Sequence, residues 1–138
     1  MLAVVILFGV VVYAQVADKN SKTDILQING QSFSLQIAKT DQQRELGLGN
    51  RTSLPADQGM LFIFPQVQPE CFWMKDMHFS LDMVWVNKNK QVVYIKHNVS
   101  PSTYPDSFCP VQPVAYVIEL NAGTTDTTGM RVGEALDF

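Results

Sequence analysis

Charge is scarce in this chain. Charged residues make up 17% of its 138 residues, the formal net charge is −3, and no run of lysine or arginine occurs. Surfaces that hold phosphates need such a run, so nucleic acid is not an expected partner. The short signatures of catalysis are missing as well: G-x-S-x-G, a Walker loop, a dinucleotide glycine motif and a helical H-E-x-x-H. Only two histidines and two cysteines occur. Cys71, His78, His97 and Cys109 are too widely spaced to offer the close ligand pair that starts a zinc site. Met74, Met77, His78 and Met83, with Cys71, carry the soft ligands that select copper(I). Methionines in such runs more often fill cores. No metal and no cofactor is expected.

What is present suits one folded domain, with 46% hydrophobic residues. Residues 2–14, LAVVILFGVVVYA, are uninterrupted apolar. That run falls short of the roughly 20 residues of a straight membrane-spanning helix and matches the core of an export signal. Val12-Tyr13-Ala14 offers small residues for cleavage, but nothing basic precedes the run. An incomplete start or a longer anchor would account for that. The expected organisation is a hydrophobic signal or membrane anchor at 1–14, a polar tether at 15–24 and one β-rich domain at 25–138. An exported protein, periplasmic or extracellular, meets an oxidising environment, which suits the even cysteine count. Paired, Cys71 and Cys109 would close a loop worth about 3–4 kcal/mol in the chain-entropy model. Two separate buried thiols are the alternative.

Within the domain, Asn29-Gly30 supplies the two positive-φ positions of a tight hairpin. A two-residue loop there would pair Leu26 with Phe33 and Ile28 with Gln31. Thr40 to Gln43 reads as a capping box, opening a helix of about two turns that ends at Leu48 before Gly49. Strands are expected at 60–64, ended by Pro65, and at 71–75. A second hairpin is expected around 87–90, then strands at 114–120 and 135–138, with a weak helix or turn after Gly123. Prolines 101, 105, 110 and 113 mark a long stiff loop. The predicted fold is mainly β (β-rich α+β), a single-domain barrel or sandwich with one or two short helices.

Several segments fall in a fixed order: 40–51 (TDQQRELGLGNR), 59–64 (GMLFIF), 72–76 (FWMKD), 80–82 (SLD), 91–93 (QVV), and 116–119 with Gly123. Together they resemble the bacterial and archaeal family of unknown function numbered 192, small, often exported and mainly β. By position the family's motif residues fall on Arg44, Gly47, Leu48, Arg51, Gly59, Met60, Phe72, Trp73, Met74, Lys75, Leu81, Asp82 and Glu119. Gly49, Asp76 and Ser80 depart from its usual Met, Asn and Pro. The resemblance implies fold and export, and no activity.

Lys75 is the anomaly, a cation among large apolar side chains that must find a partner or reach a cleft. Strand alternation puts it on one face with Trp73, and Phe72 with Met74 on the other. The leading expectation is a non-catalytic binding or accessory module. Its cleft would be built from Trp73, Lys75 and Asp82, flanked by Arg44, Arg51, Asp76 and Glu119. It would take a small polar or anionic ligand, or a segment of a partner protein, with a membrane contact through 1–14. One alternative is an enzyme using Lys75 and Asp82 as acid and base. Another is a buried ion network of purely structural worth. Phe72, Trp73, Phe79, Trp85, Tyr94 and Tyr104 could supply a stacking surface or a core.

Overall fold

The computed structural model describes residues 23–138, so the expected signal or anchor and most of the tether lie outside the described residues. The chain runs β1 (Thr23–Ile28), β2 (Gln31–Ala38), α1 (Asp41–Leu46), β3 (Gln58–Gln68), β4 (Phe72–Trp73), β5 (Leu81–Val86) and β6 (Val92–Val99). A single 3-10 turn, Pro101–Thr103, precedes β7 (Ser107–Phe108), β8 (Val114–Asn121) and α2 (Thr124–Thr128). Six strands form one sheet in the order β1-β2-β3-β8-β5-β6, and β4 pairs with β7 as a separate ribbon. Only β2 and β3 run parallel within the large sheet, joined through α1. No helix among the described residues is long and apolar enough to cross a membrane.

The first hairpin forms as its turn chemistry dictates. Asn29 and Gly30 take φ of 47° and 81°, and Leu26 pairs with Phe33 and Ile28 with Gln31. The capping box also forms: Thr40 Oγ1 accepts from the Gln43 amide at 3.2 Å, and Gln43 Oε1 accepts from the Thr40 amide at 3.1 Å. The helix stops earlier than expected, with Gly47 at φ 50° as its C-cap. A Cβ there would lie 3.2 Å from Phe62 Cζ, so close packing on β3 as well as backbone freedom calls for glycine.

The sheet buries both faces, and period-two alternation sorts its side chains between two cores. One holds Leu26, Leu35, Leu61, Val84, Ile118 and Leu120, closed by Met130 and Leu136. The other holds Met60, Phe62, Met83, Trp85 and Val117, closed by Leu48 and Met74. The mainly β expectation holds, with two short helices, but no closed barrel forms among the described residues. The expected last strand at 135–138 is reduced to single bridges, Gln27 with Asp137 and Gln91 with Ala135, which tie the two edges of the sheet without a continuous ladder. Two further expectations change. β3 continues past Pro65, which lacks an N–H, because the register to β8 shifts between Ile63 and Gln68. The strand at 71–75 shortens to two residues because the Met77 amide turns back to the Met74 carbonyl and Asp76 takes φ 58°.

Cys71 and Cys109 are joined by a disulfide, with Cα atoms 4.3 Å apart. It staples the β4–β7 ribbon one residue from its Phe72–Phe108 pair. The ribbon packs on the second core through Phe72, whose ring meets those of Phe62 and Trp85 edge-on.

Gly59 lets β3 pack closely on its neighbours β2 and β8. A Cβ there would fall 2.7 Å from the Glu119 carbonyl oxygen and from Leu120 Cδ2, and 2.8 Å from Leu35 Cδ2. Gly59→Ala is therefore expected to cost about 1–3 kcal/mol through overpacking. Urea unfolding measures it, and an unchanged midpoint would mean that β2, β3 and β8 have room to spread.

Candidate functional site

On the face of the second core, a cavity of about 270 Å³ opens between the end of α1, β3, β4 and the middle of β8. Its walls are largely aromatic. Phe62 and Phe72 meet edge-on with centroids 4.8 Å apart, and Phe64 meets Phe72 at 6.1 Å. Leu48 and Met77 close the remaining apolar sides. Glu119 lines the same space from β8. Its register opposite Met60 on β3 and Met83 on β5 puts its side chain on the face those residues bury.

Glu119 is only 5% exposed. Among the described residues no hydrogen bond or ion pair reaches its carboxyl, yet none of its oxygens is sealed away without a partner, so they open on the cavity. Burial disfavours its charged form and pushes its pKa up to about 8, opposed by the nearby Arg51. Arg51 itself is lowered by burial, against the raising effect of Glu119. Its guanidinium donates to Gln36 Oε1 at 2.8 Å and not to the carboxyl.

The expected site residues separate into three groups. Arg44, Trp73, Lys75 and Glu119 all border the cavity. Trp73 is 47% exposed, beside Tyr104 with centroids 5.5 Å apart. Lys75 is exposed, its Nζ 5.8 Å from the centre of the Trp73 ring, as the alternation argument places it. Arg44 works as a clamp on α1: it donates to the Lys39 carbonyl, to the Ile63 carbonyl at 2.8 Å and to Asp41, and lies over the Phe64 ring. Arg51 and Asp76 form the second group, outside the cavity lining. Asp76 borders a shallower neighbouring groove, and its carbonyl accepts from the Asn50 amide at 2.8 Å.

Asp82 stands alone as the third, and corrects the expected cleft. It pairs in register with Leu120 and so faces the first core, away from the cavity. Its carboxylate accepts from the Asn98 amide at 2.9 Å and from the Thr125 amide and hydroxyl at 2.8 and 2.7 Å. Lys75 and Asp82 are not brought together, so they cannot share a proton as an acid–base pair. The alternative of an ion network reduces to Arg51 acting on Glu119 without a salt bridge: the close contacts of basic and acidic side chains among the described residues are Arg44–Asp41 and His97–Asp126. Of the soft-metal set, Cys71 is disulfide-bonded and Met74 and Met83 are core residues.

Sequence reasoning missed the walls. Phe62 and Phe64 share a face of β3 by period two, a signal hidden because 60–64 reads as continuously apolar. Glu45 and Glu70, also at the rim, carried no signal. The Asp82–Thr125–His97 chain, with His97 Nδ1 2.8 Å from Thr125 Oγ1, joins residues far apart in sequence.

Residues 24–138 match the model of the family DUF192, described as Uncharacterized ACR. A crystal structure from Sinorhizobium meliloti 1021, provisionally described as a transcription regulator, is 33% identical with a TM-score of 0.76, covering 82% of this chain and 89% of that one. A protein of unknown function from Novosphingobium aromaticivorans DSM 12444 is 23% identical with a TM-score of 0.81, covering 88% and 89%, and at that identity speaks for the fold alone. Among curated proteins, none matches. The family model spans almost every described residue and the Sinorhizobium relative shares the fold at one-third identity, so this chain belongs to the DUF192 family.

Proposed function

We propose that this protein is an extracytoplasmic binding module for a small ligand with an apolar body and one polar end. Its site is the cavity floored by Glu119 and rimmed by Trp73 and Lys75. The observation that carries this reading is Glu119: a buried carboxyl with no hydrogen bond or salt bridge among the described residues, bordering an aromatic-walled recess. Such a group is costly in the empty protein, and a ligand that satisfies it recovers that cost. Apolar walls with a few convergent polar groups are the usual make-up of small-molecule sites. A carboxyl at the floor, neutral or ionised, offers an anionic ligand no counter-charge, which turns the expectation away from one.

Binding is favoured over catalysis by the lining, which holds no His, Ser, Thr or Tyr among the described residues. The Cys71–Cys109 disulfide supports an oxidising compartment, reached by export through the apolar residues 2–14. Those residues would tether the module to a membrane if they are retained. The regulator description of the Sinorhizobium protein is not carried over as DNA binding, since this chain has a net charge of −3 and no basic stripe.

The test is a thermal-shift screen of small compounds of mixed charge against the full chain. Met77→Trp, which fills the cavity, is expected to abolish the shifts. Lys75→Met at the exposed rim should weaken them less than about tenfold. Hits that survive Met77→Trp unchanged would sink the cavity as the site.

A second prediction concerns pH. With a folded-state pKa of about 8 against an ordinary 4.5, Glu119 holds a proton in the folded chain that the unfolded chain releases. Its stabilising contribution is complete below the ordinary value and is lost as pH rises through about 8. Glu119→Gln should flatten that decline in a series of urea unfolding curves. The same slope in both proteins would mean that Glu119 is paired after all.

A further inference from the structure

We infer that the ligand's polar end is a cation, a protonated or methylated amine on a small apolar body, with the Glu119 carboxylate as its counter-ion. The inference rests on the reading of the cavity as a binding site and goes further, naming the ligand's charge.

Four observations converge on it. First, Glu119 is 5% exposed and has no donor among the described residues, so the place opposite its oxygens is open to a ligand group. Second, none of the neighbouring protein cations donates to that carboxyl among the described residues, although Arg51 lies close enough to oppose the rise in its pKa. Arg44 is held by two backbone carbonyls and Asp41, and Arg51 donates to Gln36. Third, the rings of Phe62, Phe64 and Phe72 border the same space, and aromatic faces attract a cation electrostatically, most strongly where water is excluded. Fourth, the ionisable groups around Glu119 are Arg44, Arg51 and Lys75 against Glu45, Glu70 and Glu119, so with Glu119 ionised the charges balance and no excess of protein cations remains to hold an anion. A ligand carboxylate or phosphate at the floor would meet Glu119 either as a like charge or, protonated, as a neutral donor, and in neither form does it supply a counter-charge.

The volume limits the body. About 270 Å³ lies just below the range of drug-sized sites, which run from roughly 300 to 1,000 Å³. A single ring or a short chain bearing the amine fits that space. Lys75, outside over Trp73, repels a second positive group at the mouth and favours a neutral or anionic far end.

The proton balance gives the inference a signature beyond affinity. Burial keeps Glu119 largely protonated near neutrality, so an ammonium that pairs with its carboxylate displaces the carboxyl proton to the buffer. The ionisable groups around Glu119 are Arg44 and Glu45 from α1, Glu70 and Lys75 on either side of β4, and Arg51, which acts on it from outside the lining. None of them is a histidine, so a proton released on binding near pH 7 is assigned to Glu119.

The experiment is isothermal titration calorimetry of the full chain at pH 7 in two buffers of different ionisation enthalpy. The probes are 2-phenylethylamine, its N-trimethylated form, the neutral 2-phenylethanol and the anionic 3-phenylpropanoate. A lysine-containing tetrapeptide separates a free amine from a lysine side chain of a partner. The amines are expected to bind at least about tenfold more tightly than the neutral and anionic probes. Their apparent enthalpy should differ between buffers, reporting release of most of one proton. In Glu119→Gln the preference and the buffer dependence should both disappear, the amines falling to the affinity of 2-phenylethanol for the same variant. If that variant fails to fold, the wild-type pH series decides, because amine affinity should rise towards pH 8 and then level off. Equal binding of amine and carboxylate, or amine binding without proton release, would overturn the cation. Neutral or anionic probes that bind and are lost in Met77→Trp, while amines do not bind, would leave the cavity a site for a different ligand. No binding by any probe, or binding indifferent to Met77→Trp, would overturn both readings.

Discussion

Strand β8 is hydrogen-bonded along both edges, to β3 and to β5, and packed on both faces. No other constraint settles so much of this molecule. A strand in that position has no solvent side to which a charged residue can turn, so every side chain on it is committed to one core or the other. Val117 and Glu119 go one way, Ile118 and Leu120 the other. Glu119 thus enters an apolar core by register, and the cavity is what keeps its oxygens from being sealed. The same register puts Met83 opposite Glu119 and Asp82 opposite Leu120. Two acids at neighbouring rungs of one sheet therefore have unrelated surroundings: Asp82 takes three donors and is satisfied, whereas Glu119 has none among the described residues.

The rest of the cavity is built around that strand by elements with little regular structure of their own. The two-residue β4 pairs only with β7, and the Cys71–Cys109 bond holds the ribbon together where two backbone pairs alone would be marginal. Opposite it, α1 is too short to persist in isolation. It is fixed by its capping box and by Arg44, whose guanidinium ties the helix to the carbonyl of Ile63 on β3. Covalent closure on one side and charge-assisted hydrogen bonds on the other hold the walls apart while leaving the floor unfilled.

Much of the local structure was legible in the residues. Asn29-Gly30 specified the hairpin and its register because few residues other than Asn and Gly accept two consecutive positive φ angles. Thr40 and Gln43 specified the helix start because their side chains satisfy each other's amides. Alternation put Trp73 and Lys75 together, and Lys75 reached the open side as a cation must. The errors lay where tertiary contacts outweigh local preference. The helix ended at Gly47 because Phe62 packs against it. β3 ran through Pro65 because a register shift leaves that residue's missing N–H without consequence. The closing strand at 135–138 became two bridges, each to a different edge of the sheet.

By itself the sequence determined that this is a mainly β domain of the DUF192 family, with Trp73 and Lys75 on one face of a strand. Period-two patterning, turn chemistry and short motifs are local properties, and a single chain states them directly. Which charges meet was decided only by the tertiary structure. Asp82, an acid of the same motif set, is the expected counter-charge of Lys75. The pairing of β5 with β8 sends Asp82 to the far face of the sheet and leaves Glu119, from the other end of the domain, at the bottom of the cavity beneath Trp73 and Lys75. Strand order and register are non-local, and they convert a scattered set of acids and bases into one satisfied carboxylate and one that borders the cavity.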